Sequence, residues 1–305
     1  MKPVRNVAAS VHQKLLNVAK QTSRPFNEIA QYYAIERWLY RLAKSDSRER
    51  FVLKGALMLL VWKTSVTRPT RDIDLLARTS NDLESIRGLI ADICELSVEN
   101  DGMTFDPGSI TTERIAEDAD YKGVRARFMA LLGNTRMHMQ IDIGFSDVIT
   151  PDPIAITYPT ILGQPAPELR AYNRETAIAE KFEAMVSLGE LNSRMKDFFD
   201  VWLLAESFDF DGSALTDAIR ETFARRRTKL DIEPICFAHR FTNDPAKSRQ
   251  WTAFLRRSML TAAPMAFSEV VEGVRQFLQP VATALENGKP IDLRWQRGGP
   301  WQTYQ

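Results

Sequence analysis

The residues Arg-Pro-Thr-Arg-Asp-Ile-Asp-Leu-Leu, at positions 68–76, carry the clearest information about the fold and chemistry of this chain. Asp72 and Asp74 are two residues apart in an apolar run that favours a β-strand, so both carboxylates point to the same face. Two adjacent carboxylates in a half-buried strand repel each other, and a divalent cation such as Mg²⁺ removes that repulsion. Paired carboxylates that hold Mg²⁺ against a nucleotide are typical of phosphoryl and nucleotidyl transfer, so the pair is a candidate metal site that the rest of the chain has to support. The alternative is a solvated acidic strand end paired with Arg68 and Arg71.

The composition is that of an ordinary globular protein. The chain has 305 residues, 44% hydrophobic and 26% charged, and its net charge of +1 excludes a protein that coats nucleic acid through a strongly basic surface. Cys94 and Cys236 lie far apart without metal-ligand spacing, which is typical of free thiols in a reducing compartment. Residues 1–20 contain no apolar signal segment, and no apolar run is long enough to span a membrane. We expect a cytoplasmic protein without membrane association.

Apolar periodicity and turn residues divide the chain into two parts. Strands and helices are predicted in the first part, in the order helices within 7–42, strands near 51–54 and 71–77, a helix up to about residue 96, a polar stretch over 101–120, and a hairpin of strands 124–132 and 136–145 turned at Gly133-Asn134. Prolines 151–167 mark a linker, and the chain is mostly helical after residue 174. We expect two domains, over residues 1–165 and 166–305.

A glycine at a predicted strand end is a second candidate for chemistry. Lys54-Gly55-Ala56 closes the strand and opens directly into a helix. Glycine at that point lets the backbone approach a phosphate closely. An ordinary β–α turn accounts for the same residues.

Asp142 is a third candidate carboxylate. It lies on the second strand of the hairpin and faces opposite to Ile141 and Ile143. Together with Asp72 and Asp74 it would allow two Mg²⁺ ions to be held. Alternatively, Asp142 is a strand residue satisfied by Arg136 or Arg125.

Charged residues also lie among aromatic residues in the helical part. Arg194 and Asp197 are i, i+3 neighbours on one predicted helix, and Lys196 and Asp200 are i, i+4 neighbours. Such pairs are usually surface salt bridges, and this is the default interpretation of Lys196–Asp200. A cluster of this kind between aromatics better suits a charged network at a domain cleft. Lys181, on the preceding predicted helix, could reach out to a phosphate.

Five segments follow one another in the order typical of a known family. They are Phe-Val-Leu-Lys-Gly (51–55), Arg-Pro-Thr-Arg-Asp-Ile-Asp-Leu-Leu (68–76), Gln-Ile-Asp-Ile-Gly-Phe (140–145), Ala-Glu-Lys-Phe (179–182) and Asn-Ser-Arg-Met-Lys-Asp-Phe-Phe-Asp (192–200). In combination they resemble the AbiEii/AbiGii toxin nucleotidyltransferases, which include the MenT toxins. The resemblance implies an α+β fold: a polymerase-β-like nucleotidyltransferase domain, with a mixed sheet flanked by helices, followed by a mainly helical domain that completes the active-site cleft.

The resemblance also implies a function and its participants. The expected activity is that of a toxin of a toxin–antitoxin or phage-defence system, which transfers a nucleotide from an NTP to RNA, for MenT-type members the 3′ end of tRNA. Mg²⁺, with Mn²⁺ as a possible substitute, would be the cofactor, and a cognate antitoxin would be encoded nearby. Two other functions stay open: a nucleotidyltransferase that modifies a protein or small molecule, and a non-catalytic nucleotide-binding protein.

Carried onto this chain, the resemblance implies a set of site residues. It assigns metal binding to Asp72 and Asp74, catalytic roles to these two with Lys181 and Asp197, and nucleotide binding to Gly55, Arg194 and Lys196. Lys54 and Arg71, which adjoin two of these motifs, are further candidates for nucleotide binding. Asp142 is added as a metal ligand from strand geometry.

The sequence departs from the family pattern in two places. Ala56 replaces the usual Ser or Gly after Gly55, and the gap from Gly55 to Asp72 is longer than usual. The choice of nucleotide is therefore open. For an RNA acceptor, two basic clusters are candidates: Arg225, Arg226, Arg227 and Lys229; and Arg249, Arg256 and Arg257.

Overall fold

Residues 6–64, 68–118, 121–288 and 291–303 are described by the computed structural model, and they group into two units. The sheet unit comprises the described residues of Met1–Val61, Thr70–Ser146 and Ile154–Ala171. The helical unit comprises those of Trp62–Pro69, Asp147–Pro153 and Tyr172–Gln305.

One mixed, seven-stranded sheet forms the centre of the sheet unit, in the order β3-β4-β5-β2-β1-β7-β6. Its strands are β1 (Phe51–Lys54), β2 (Asp72–Ala77), β3 (Met103–Asp118), β4 (Tyr121–Leu132), β5 (Thr135–Gly144), β6 (Ile154–Thr157) and β7 (Glu168–Ala171). Strand β2 runs parallel to β5, β1 runs parallel to β7, and the other neighbours are antiparallel. The predicted α+β class with a mixed sheet is confirmed.

The predicted hairpin is confirmed as β4 and β5, which pair antiparallel on either side of Gly133-Asn134. Gly133 has a φ of +57°, a left-handed conformation that glycine adopts at low cost and that such tight turns require. The polar stretch before the hairpin contains β3, a strand that the sequence pattern did not indicate. It pairs with β4 at the edge of the sheet.

Among its described residues, the sheet unit has four helices: α1 (Val7–Thr22), α2 (Phe26–Lys44), α3 (Met58–Val61) and α4 (Leu83–Glu95). Helix α2 is buried around nearly its whole circumference and packs against β5, β7, α1 and α4. Two of its buried polar side chains bond to Asp101. Arg41 donates to both carboxylate oxygens of Asp101, at 2.7 and 3.2 Å, and the Tyr33 hydroxyl donates to the Asp101 carbonyl at 2.7 Å. These bonds fix the start of β3 to α2.

The helical unit contains six helices within the described residues. They are α5 (Arg174–Leu188), α6 (Met195–Ser207), α7 (Gly212–Arg226), α8 (His239–Thr242), α9 (Pro245–Ser258) and α10 (Phe267–Glu286). Helix α5 packs against α6 and α7, and α10 packs against α6, α7 and α9. Three short strands, β8 (Phe210–Asp211), β9 (Arg294–Trp295) and β10 (Trp301–Gln302), form a small antiparallel sheet.

Aromatic side chains fill the core of the helical unit. Phe198 of α6 contacts Phe267 edge-on at 5.1 Å between ring centroids, and Trp251 lies 5.7 Å from the same ring. Trp295 is buried, and its indole N–H donates to the Ala205 carbonyl at 2.8 Å. No helix in the described ranges is both long and apolar enough to cross a membrane.

Candidate active site

Asp72 and Asp74 lie on the same face of β2, as their spacing predicts. The buried residues Ile73 and Leu75 fill the opposite face, while both aspartates are partly exposed. The carboxylates are therefore held by a strand whose other face is anchored in the core. Such support fixes their orientation more firmly than a loop would.

Asp74 belongs to a row of charged side chains that crosses four adjacent strands. It is opposite Lys54 of β1 on one side and Asp142 of β5 on the other, and Asp142 is opposite Arg125 of β4. Residues directly opposite each other on paired strands have side chains on the same face. We call Lys54, Asp74, Asp142 and Arg125 the charged row.

Gly55 directly follows the charged row and makes close contact with it. A Cβ atom at this position would lie 1.9 Å from Oδ2 of Asp74, and the φ of Gly55 is +75°. Both the space and the backbone conformation therefore require glycine. The backbone of Gly55 lies against the carboxylate that the sequence assigns to the metal.

Asp142 is paired with Arg125, which is one of the alternatives that the sequence left open. Nε and Nη2 of Arg125 donate to the two carboxylate oxygens of Asp142, both at 2.7 Å. The hydrogen bond to Asp142 is the main cause that raises the pKa of Arg125, and the charge of Asp72 adds to it. The guanidinium of Arg125 is thus the cation that neutralises Asp142.

The acidic residues suit one divalent ion better than a three-carboxylate cage. Among the described residues, no group of three or more His, Cys, Asp or Glu side chains is arranged to hold a metal ion. Asp72 and Asp74 are oxygen ligands on one strand face, the type that Mg²⁺ prefers. The two residues fit a Mg²⁺ ion that would complete its shell with water and phosphate oxygens.

A second charged cluster lies in the helical unit, around two buried aspartates of α6. Nζ of Lys181 lies 3.0 Å from Oδ1 of Asp197 and 2.8 Å from Oδ2 of Asp200. Arg68 donates to both oxygens of Asp200, at 2.8 and 2.9 Å, and Nε of Arg194 lies 2.6 Å from Oδ2 of Asp197. We call these five residues the lysine–aspartate cluster.

The charges of this cluster depend on one another. Asp197 and Asp200 are each only 1% exposed. Burial alone would raise the pKa of Asp200, but Arg68 and Lys181 outweigh it and hold that pKa well below its usual range. Burial would likewise lower the pKa of Lys181, but Asp197 and Asp200 raise it. Both aspartates and the lysine are therefore charged at neutral pH.

The predicted site residues divide between the two units. Those in the sheet unit are Lys54, Gly55, Arg71, Asp72, Asp74 and Asp142, and those in the helical unit are Lys181, Arg194, Lys196 and Asp197. Within the sheet unit, Arg71 is exposed and makes no ion pair with any described residue. The others of that set lie on or next to the charged row.

The interpretation of Lys196 and Asp200 as a surface salt bridge is wrong, because the described partners of Asp200 are two other residues. Lys196 is exposed, whereas Asp200 points into the core of the unit and is bonded by Arg68 and Lys181. The helical spacing brings Lys196 and Asp200 within reach, but two cations in a buried environment hold the carboxylate more strongly than one in water.

Three residues of these clusters were not among the predicted site residues: Arg68, Arg125 and Asp200. A signal existed for Asp200, because Asp197 and Asp200 are i, i+3 on one helix and are separated by two phenylalanines. Arg68 has no such signal, since its partner is 132 residues away.

One of the two predicted basic clusters includes a residue, Arg226, that is not on the surface in the structure. Arg226 is largely buried, and its guanidinium is bonded to Glu183 at 2.7 Å and to Asp147 at 2.9 Å. It therefore stabilises the helical unit and is unavailable to RNA, contrary to its inclusion in a basic surface run. Arg249, Arg256 and Arg257 are exposed on α9.

Replacing Gly55 with alanine tests the close approach to Asp74. We expect Gly55→Ala to lower the free energy of unfolding by about 2 kcal/mol, because the new methyl group must displace the carboxylate and the backbone is left-handed. Gly88→Ala is the matched control, since nothing lies within 4 Å of a Cβ there on α4. It should raise stability by about 0.5–1 kcal/mol. Urea unfolding followed by circular dichroism measures both, and equal effects would contradict the geometry.

The lysine–aspartate cluster predicts a specific pH dependence. Asp200→Asn should cost about 3 kcal/mol at pH 7, because it leaves Arg68 and Lys181 partly unpaired in a buried site. The pKa of Asp200 is lowered in the folded chain from its ordinary value of 3.8. Its stabilisation is therefore complete above that value and is lost only as the pH falls below it.

The measurement is urea unfolding of wild type and Asp200→Asn between pH 7 and pH 3. The difference in stability should be constant down to about pH 5 and shrink below it. Asp217→Asn, which breaks an exposed ion pair with Arg220, is the control and should change stability by less than about 0.5 kcal/mol. A difference that already fades between pH 7 and pH 5 would contradict the lowered pKa.

Comparison with known proteins identifies the family to which the chain belongs. Residues 37–279 match the family model described as nucleotidyl transferase AbiEii toxin, type IV TA system. No curated protein matches the sequence.

Two solved structures from Helicobacter pylori are similar to the chain. JHP933 is 15% identical, with a TM-score of 0.46 and coverage of 86% of this chain and 94% of that chain. A protein named as a candidate nucleotidyltransferase is 14% identical, with a TM-score of 0.46 and coverage of 86% and 98%. The family model matches far more than half of the sequence, and it includes both the charged row and the lysine–aspartate cluster. The chain therefore belongs to the AbiEii family of nucleotidyltransferase toxins of toxin–antitoxin systems.

Proposed function

We propose that this toxin transfers a nucleoside monophosphate from an NTP to the 3′ end of tRNA with the help of Mg²⁺. The observation that carries the proposal is the pair Asp72 and Asp74 on one strand face, with the backbone of Gly55 against Asp74. In the reaction, a hydroxyl oxygen of the acceptor forms a bond to the α-phosphorus. The bond to the β-phosphate breaks, pyrophosphate leaves, and the hydroxyl proton passes to solvent.

Asp72 and Asp74 would hold the Mg²⁺ ion. When bound, the ion would neutralise charge on the phosphates and lower the pKa of the attacking hydroxyl. Gly55 keeps the strand end free of side-chain bulk, so that a phosphate can approach the backbone next to Asp74. Lys54 places one positive charge opposite Asp74.

The family resemblance assigns phosphate-binding cations to the helical unit. Lys181 is held in position by two carboxylates and stays charged, so its charge needs no rearrangement when an anionic ligand binds. Arg194 is 39% exposed while it contacts Asp197, and Lys196 is exposed beside it. We assign these two residues to the triphosphate, with Lys181 as the charge that the reaction requires.

A basic face of α9 suits the RNA acceptor. Arg249 and Arg256 are seven residues apart and thus on the same side of the helix, about 10 Å from each other along its axis. The exposed Ser248 and Thr252 line the same groove as the two arginines. Neither arginine forms an ion pair with any described residue, so both charges are available to phosphates.

The transfer reaction itself is the first test. Purified protein is mixed with total tRNA, Mg²⁺ and each α-labelled NTP separately. Label should enter tRNA with the wild type, and Asp72→Asn, Asp74→Asn and Lys181→Gln should each lower the rate at least about a hundredfold. Glu84→Gln and Lys20→Gln, which remove exposed charges of the same kinds, serve as controls.

Each other outcome favours a different function. Label in protein or in a small molecule would replace the RNA acceptor. Binding of NTP without any transfer, and without effect of Asp74→Asn, would favour a non-catalytic nucleotide-binding protein. Ala56, which replaces the usual Ser or Gly, would then be the first residue to test as the cause of the lost activity. A cognate antitoxin encoded nearby is the partner that family membership implies.

The basic face of α9 is tested by the salt dependence of tRNA binding. The double variant Arg249→Gln/Arg256→Gln should reduce the slope of log K against log salt concentration by roughly 1.4–1.8, because two phosphate contacts are lost. Fluorescence anisotropy with labelled tRNA at several KCl concentrations measures this slope. Arg220→Gln/Arg294→Gln, whose charges are already paired with Asp217 and Asp209, is the control. Equal slopes in the two double variants would exclude α9 as the docking face.

A further inference from the structure

We propose that Arg125 takes the place of a second cation at Asp142, so that this site binds a single divalent ion, at Asp72 and Asp74. This inference rests on the proposed metal site and concerns its composition. It contradicts the initial expectation that Asp142 is a metal ligand and that the three carboxylates hold two ions.

The contacts of Asp142 are the first argument. Both of its oxygens accept hydrogen bonds from Arg125 at 2.7 Å, and Nε2 of Gln140 lies 3.5 Å from Oδ2. The two-bond arrangement between a guanidinium and a carboxylate is the strongest that this pair of groups can form. An ion that took Asp142 as a ligand would compete with Arg125 for these oxygens and would bring two positive charges next to its guanidinium.

The register of the sheet is the second argument. Arg125 and Asp142 are directly opposite each other on β4 and β5, so their pairing needs no bending of either strand. Their side chains are only 28% and 15% exposed, respectively, which limits competition from water. The register of β4 and β5 therefore determines the Arg125–Asp142 pair, in the same way that the register of β2 and β5 sets Asp74 opposite Asp142.

The remaining donors of Arg125 are the third argument. Arg125 keeps three N–H donors beyond the two that Asp142 accepts, and these suit phosphate oxygens of the NTP. The cation already at Asp142 can therefore contact the triphosphate, a task that a second divalent ion would otherwise perform.

The experiment is a titration of the protein with Mn²⁺ alone, in which the electron paramagnetic resonance signal of free Mn²⁺ reports the bound fraction. Wild type should bind one Mn²⁺ per chain. Asp142→Asn should still bind one ion, at most roughly tenfold more weakly because one nearby negative charge is lost, and Asp72→Asn should lose the binding. Arg125→Gln frees the Asp142 carboxylate, opposite Asp74 in the sheet, which should tighten binding roughly tenfold or add a second ion.

Arg127→Gln is the matched control, since Arg127 lies two residues further along the same strand face and pairs with Glu113. It should change the affinity less than threefold. Two ions in wild type, a loss in Asp142→Asn as large as in Asp72→Asn, or no Mn²⁺ binding by wild type would each overturn the inference. The wild-type stoichiometry needs no variant to fold, and the labelled transfer to tRNA is scored separately, so a failure of the acceptor proposal is distinguishable from a failure here.

Discussion

The parallel register between β2 and β5 is the constraint on which the acidic site depends. It sets Asp74 opposite Asp142 and Asp72 opposite Gln140. A slip of one residue would turn every carboxylate into the core and every isoleucine towards solvent. Because Ile73, Ile141 and Ile143 are fully buried on the opposite face, the hydrophobic core enforces the register that the carboxylates need. Burial of the apolar face of the same strands thus offsets the repulsion between the neighbouring carboxylates.

Charge compensation in the two units follows a common physical rule but has different consequences. In the helical unit, Asp197 and Asp200 are fully buried and are matched by Lys181, Arg68 and Arg194, which gives a rigid cluster whose members keep their charge. In the sheet unit, Asp142 is paired with Arg125, while Asp72 and Asp74 are partly exposed on one strand face. A partly exposed pair of carboxylates can accept a cation, whereas a balanced, buried network mainly fixes geometry.

Family membership and local chemistry support each other at different levels. The family model identifies a nucleotidyltransferase toxin, but it does not say how many ions the site binds or where an acceptor docks. Those questions depend on which arginines already have partners. Arg125 and Arg226 are held by carboxylates, while Arg249 and Arg256 are exposed without one among the described residues, so arginines that look alike in the sequence differ in what they can bind.

Local rules were sufficient for much of this protein. The alternation of β2, the hairpin at Gly133-Asn134, the helical character of the second part and the order of the family motifs follow from short-range periodicity and turn chemistry, and the structure agrees with them. Strand β3 escaped such rules, because its pairing with β4 decides it. The sequence by itself determined the class of the fold, the family, and the shared face of Asp72 and Asp74. Only the tertiary structure decided that Asp142 belongs to Arg125 and Asp200 to Arg68 and Lys181, because the choice among several possible ion-pair partners depends on strand register and burial, which no local pattern encodes.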